Sequence, residues 1–180
     1  MAQRVRRLSA LFPLLRLWQV SLRFWSASNQ GRRLQMPQLN YLSVFVAGLV
    51  IFLLGGLWYS PILFSKRWVA LQGRTEEQMR AEAAKANMPV MYFIAFVCGL
   101  IIAWGIAVLA NHFPPATPLS GAEWAMRGAK LGLFSWFAFV APTSFANATF
   151  STKPKALWVI DSGYNLVAFL LAGVILMTWR

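Results

Sequence analysis

The stretch from Leu39 to Ser65, LNYLSVFVAGLVIFLLGGLWYSPILFS, holds no Asp, Glu, Lys, Arg or His. An uncharged apolar run longer than the roughly 20 residues that cross a hydrocarbon core reads first as a transmembrane helix. Composition agrees. With 58% hydrophobic and only 12% charged residues and a mean hydropathy of +0.54, the chain is too apolar for a soluble domain, where about a quarter of residues are charged. The net charge of +12 would suggest nucleic acid in a soluble protein, yet seven of the 17 basic residues precede residue 36 and the others flank apolar runs. Charges so placed orient membrane helices. The expected partner is therefore the lipid bilayer, and no nucleic acid. Cys98 is the lone cysteine and lies in an apolar run, which excludes an intrachain disulfide and a Cys-rich metal site.

Residues 1–35 differ from the rest: seven arginines, several serines and no acid. Leu8, Leu11, Leu15, Trp18, Leu22 and Trp25 recur at steps of three and four, which would align them on one helix face, with Pro13 interrupting. Three readings stay open for this extension: a start placed upstream of a true Met36, a basic interfacial helix, or an Arg-rich transit-like segment. Residues 36–180 form the expected membrane domain. Its spans fall at about 40–63, 89–110, 129–150 and 157–179.

Between the first two spans, Thr75 with Gln78 forms a capping box and Glu76 pairs with Arg80 at i,i+4, so a short solvated helix is expected there. Ala95, Gly99, Ala103 and Ala107 make a small-residue stripe on the second span, and Gly128 with Gly132 a GxxxG step on the third. Ser135, Phe139, Thr143 and Asn147 follow at intervals of four, which predicts one shared polar side. Pro142 should kink this helix, with the Thr143 or Ser144 hydroxyl turning back onto the backbone. Counted from Met36, the loops around residues 66–87 and 151–155 carry seven basic residues against three on the other side. The positive-inside rule then places the 66–87 loop in the cytoplasm and both chain ends outside; counting the seven upstream arginines reverses the tally.

Asp161 is the acid inside a span. An intramembrane ionisable group is a functional candidate because leaving it unpaired in hydrocarbon is costly. Tyr164 and Asn165 follow at steps of three and four, so a polar site of Asp161, Tyr164 and Asn165, with Asn147 and Thr143 opposite, is one reading. The other is structural: near the helix start, Asp161 favours the positive end or meets Lys155. The segment Trp58-Tyr59-Ser60-Pro61 reads either as a cavity mouth or as an aromatic belt with a proline stop. His112 stands alone at an interface and reads as solvated or capping. No catalytic triad, HExxH or acid cluster is present, so neither a catalytic residue, a metal nor a cofactor is expected.

GGLWYSPILFSKRW, the short soluble helix, and DSGYNLVAFLLAGVIL in the last span resemble the membrane-protein family known as domain of unknown function 1761, from Met36 to the C-terminus. The LWYSP segment and the Gly163-Tyr164 step carry the resemblance most specifically. It implies a small, mostly bacterial, four-helix protein of the plasma membrane, and it carries no catalytic residue across. The expectation is an all-α, four-helix transmembrane bundle with one soluble helix between spans one and two. It would bind or move a small solute or lipid, as a candidate homo-oligomer because four short spans enclose little volume. The alternative is a structural or partner-binding subunit of a membrane complex.

Overall fold

The computed structural model of the chain describes residues 39–115 and 117–179; the expectations for residues 1–35 lie outside the described residues. Asn40 opens α1 (Tyr41–Trp58) by accepting from the Leu42 and Ser43 amides. The helix ends before Ser60-Pro61, where Ser60 accepts from the Leu63 and Ser65 amides in a turn that leads to α2 (Ser65–Leu71). The span is thus shorter than the expected 40–63. Thr75 and Gln78 form the anticipated capping box at the start of α3 (Glu76–Lys85), none of whose residues is buried. Asn87 caps α4 (Met88–His112), with Pro89 in its first turn, where a fixed φ and a missing N–H cost nothing.

Ser120 and Glu123 form a second capping box, at α5 (Gly121–Ser135). The Ser120 N–H and hydroxyl hold the Glu123 carboxyl below its ordinary pKa range. A π-helical turn, Trp136–Val140, then leads into α6 (Ala141–Phe150). The chain finishes with α7 (Lys155–Thr178).

All regular structure among the described residues is helical. Three helices, α1, α4 and α7, are long and apolar enough to cross a membrane, where four were expected. The expected third span is divided by the π turn. Pro142 has no N–H, and its ring would clash with the carbonyl four residues back in an α-helix. The Ala141 amide reaches back to the Trp136 carbonyl instead, which widens the turn by one residue.

That extra residue moves the inward face one position along. Val140, Ser144 and Ala148 become partly covered, while Phe139, Thr143 and Asn147 are exposed. The single polar side expected for Ser135, Phe139, Thr143 and Asn147 is therefore not formed. The Thr143 hydroxyl does turn back, donating to the carbonyls of Phe139 and Val140.

Small residues bring the helices together. Gly48 of α1 lies against Leu100 of α4, and Gly99 against the Gly48 carbonyl. Ala47, Ala103 and Ala172 are fully buried at the centre. The most extensive contact is α5 on α7, where Gly128 faces Gly173 and Gly132 faces the Phe169 carbonyl. With Trp136 bonded to the Ser162 carbonyl and Trp158 to Ser144, residues 128–144 run antiparallel to 173–158 along its length. Of the expected stripe on α4, Gly99, Ala103 and Ala107 are buried and Ala95 is exposed. Close approach through Gly and Ala is how helices associate where lipid removes the hydrophobic drive between them.

Candidate functional site

Two sequence segments that look unrelated in the chain meet at one end of the bundle. The Trp58 indole donates to the Ile160 carbonyl at 3.1 Å. One residue on, the Tyr59 hydroxyl donates to Asp161 Oδ1 at 2.9 Å. The Trp68 indole of α2 donates to the same oxygen at 2.9 Å. One carboxylate oxygen thus takes two neutral donors, both from rings whose apolar bodies suit an interfacial depth.

The rings also touch one another. Tyr59 lies 5.3 Å from Trp68 and 5.7 Å from Tyr164 between centroids, and Trp58 lies 4.8 Å from Phe64. Glycines make room for this. A Cβ at Gly163 would sit 3.3 Å from the Trp58 ring, and one at Gly55 3.3 Å from the Tyr164 hydroxyl. That hydroxyl donates to the Ile51 carbonyl at 3.2 Å.

The expected constellation is therefore rearranged. Asp161 and Tyr164 belong to the site, but their neighbours are Trp58, Tyr59 and Trp68. Asn165 spends its amide on the Asp161 backbone carbonyl at 2.9 Å. Asn147 accepts from the exposed Ser151 hydroxyl at 3.3 Å, and with Thr143 it faces away because of the π turn. Ser60 and Pro61 shape the turn after α1: the Ser60 hydroxyl donates to the Leu57 carbonyl at 2.7 Å. His112 bonds the Val108 carbonyl at 2.8 Å, a backbone contact within its own helix.

Lys155 does not meet Asp161. The ion pairs between described residues are Arg74–Glu82 at 2.7 Å and Arg80–Glu76 at 3.9 Å, both on the solvated side. Asp161 instead lines a cleft of about 320 Å³ together with Trp68, Gln72, Arg74, Thr152 and Lys153. Thr152 holds φ at 53°, a left-handed backbone that is uncommon for a β-branched residue and marks a place where strain is tolerated. Sequence reading missed Trp68, Arg74 and Lys153 as site residues. The available signal was a lone acid near a helix end in a protein with many interfacial aromatic donors.

A family model described as a protein of unknown function (DUF1761) matches residues 42–177. The chain belongs to the DUF1761 family. The match contains every side chain of the Asp161 cleft and both halves of the Trp58–Gly163 interlock. No curated protein and no solved structure matches the chain. Within this DUF1761 chain no group of three or more His, Cys, Asp or Glu among the described residues converges to hold a metal. The chemistry available at the cleft is that of a fixed carboxylate, exposed cations and hydroxyls.

Proposed function

We propose that this protein crosses the membrane four times and binds a small polar solute, for uptake or release, in the Asp161 cleft. The observation that carries the reading is the carboxylate itself. Asp161 lies six residues into α7, roughly 9 Å along a helix rising 1.5 Å per residue, and is held there by Tyr59 and Trp68 without a cation. A charged group kept at that depth and opening on a cleft is poised for a ligand.

Membrane residence is supported by the surface. Phe93, Ile94, Phe137 and Phe139 are each more than half exposed, on a scale that a soluble monomer does not tolerate. Four crossings are supported by the ends of the bundle. Asn40 donates to the Trp179 carbonyl at 3.4 Å, so α1 begins where α7 stops. Three traverses would separate those ends, whereas a fourth through residues 129–150 brings them together. The π turn is compatible with a crossing, since such bulges occur inside otherwise α-helical segments.

The cleft lies on the side that carries Lys66, Arg67, Arg74, Lys153 and Lys155; counted from Met36, the positive-inside rule supports an orientation toward the cytoplasm of a bacterial plasma membrane. The proposed activity is binding and movement rather than catalysis. The runner-up, a partner-binding subunit, is favoured by α3, a solvated helix without a buried residue.

Native mass spectrometry of the protein released from membranes tests the reading. A small adduct retained by wild type and lost from Asp161→Asn is expected. An adduct-free wild type, or one whose adduct is indifferent to Asp161→Asn, would remove the site. Cysteine placed in α3 of a Cys98→Ser background, if labelled from outside intact cells, would overturn the orientation.

A further inference from the structure

Resting on the reading of the Asp161 cleft as a binding site, we infer that its ligand is a small zwitterion. Its ammonium enters first, toward Asp161, and its anionic group is held at the mouth by Arg74 and Lys153.

The argument starts from charges of both signs that line one cleft without pairing with each other. Among the described residues the Asp161 carboxyl group accepts from Tyr59 and Trp68, and both bonds fall on Oδ1. Arg74 makes its ion pair with Glu82 through Nη1, and Lys153 is exposed on the loop before α7. A lone cation at Asp161 would face the like charge of Lys153 at the mouth, with Arg74 beside it already shared with Glu82. A lone anion between Arg74 and Lys153 would face the carboxylate below. A ligand that carries both charges satisfies both ends, and like-charge opposition excludes molecules with only one.

The order of charges with depth also says which kind of zwitterion fits. Asp161 lies within α7, whereas Arg74 and Lys153 lie on the loops outside it. A phospholipid of the same leaflet has its phosphate deeper than its ammonium, the reverse of this arrangement. A soluble molecule arriving from the aqueous side with its ammonium leading fits the order. A volume of about 320 Å³ is at the small end for ligand sites, which suits a short amino acid or an aminoalkyl phosphate.

The test is calorimetric titration of the full chain in nonionic micelles with four probes: 4-aminobutyrate, O-phosphoethanolamine, ethanolamine and inorganic phosphate. At least one of the two zwitterions should bind about tenfold or more tighter than either singly charged probe, about 1.4 kcal/mol or more. Asp161→Asn should abolish that preference. Lys153→Gln, at an exposed position, should reduce zwitterion affinity and leave ethanolamine binding unchanged or stronger, because a like charge at the mouth is removed. Ethanolamine or phosphate binding as tightly as both zwitterions would overturn the inference while leaving a binding cleft in place. Silence from all four probes, beside an Asp161-dependent adduct in the native spectrum, would overturn it in the same way. Silence in both measurements would overturn the binding site as well. Nanodiscs of phosphatidylethanolamine that block the soluble zwitterion, where phosphatidylglycerol discs do not, would assign the same chemistry to a lipid headgroup and overturn entry by the ammonium from water.

Discussion

Gly132→Ala should destabilise the bundle, although alanine is the better helix former. A Cβ at this position would lie 2.7 Å from the Phe169 carbonyl carbon and 3.0 Å from the Leu170 Cα, where ordinary contact begins at 3.4 Å. The obstacle is backbone on a facing helix, with the Phe169 carbonyl oxygen nearest of all, so no rotamer change relieves it and α5 and α7 must part by roughly 1 Å. A radial gap of about 0.5–1 Å forfeits a quarter to a half of each dispersion well along the seam. Overpacking of this kind costs about 1–3 kcal/mol, and the intrinsic gain of Ala over Gly in a helix returns about 0.8–1 kcal/mol. The expected net loss is about 0–2 kcal/mol, which is about 1–3 kcal/mol relative to a site where the alanine gain is unopposed. Gly105→Ala is the internal control, because a Cβ there meets nothing within 4 Å; it should be neutral or stabilising. Both variants can be read by SDS titration of the micellar protein, followed by far-UV circular dichroism and tryptophan fluorescence. If Gly132→Ala unfolds at the same SDS fraction as Gly105→Ala, the close approach of α5 to α7 is wrong.

Tyr59→Phe and Trp68→Phe each remove one donor from Asp161 Oδ1, and each should cost about 1.5–3 kcal/mol, the worth of a hydrogen bond to a charged group. In a double-mutant cycle the Tyr59→Phe effect should shrink in an Asp161→Asn background; an unchanged effect would separate Tyr59 from Asp161 energetically. Ser162 is 3% exposed and its hydroxyl has no hydrogen-bond partner among the described residues. Ser162→Ala should therefore be neutral or stabilising by the same SDS titration, since it deletes an unsatisfied buried group, and a clear loss would mean that the hydroxyl is bonded.

The parts of the fold that follow from local chemistry were legible in the chain. Hydropathy located α1, α4 and α7 because an uncharged run of spanning length has one economical structure in lipid. The Thr75–Gln78 box and the Gly128–Gly132 step were readable because each is a contact pattern carried by a few neighbouring residues. The displacement of Thr143 and Asn147 was not. A spacing of four assumes an unbroken α-helix, and Pro142 forces the one-residue widening that shifts every later side chain. Proline announced a disturbance at that point, but a kink and a π turn leave different faces inward, and nothing in the local sequence chooses between them.

The site was half legible for a related reason. Asp161 and the GGLWYSP segment each stood out, one as an acid in a span and the other as an aromatic turn, yet about a hundred residues separate them and no sequence pattern states that they touch. Their union changes what Asp161 means. Had Lys155 met it, the carboxylate would be neutralised within its own helix and the structural reading would suffice. Tyr59 and Trp68 orient the carboxylate but supply no positive charge. Both are neutral donors, so they fix the position of the carboxyl group without pairing it to a cation. A protein that needed only to join α1, α2 and α7 could do so with a neutral acceptor such as Asn at this position. A carboxyl group fixed by donors that do not pair it with a cation is what the binding role proposed for the cleft requires.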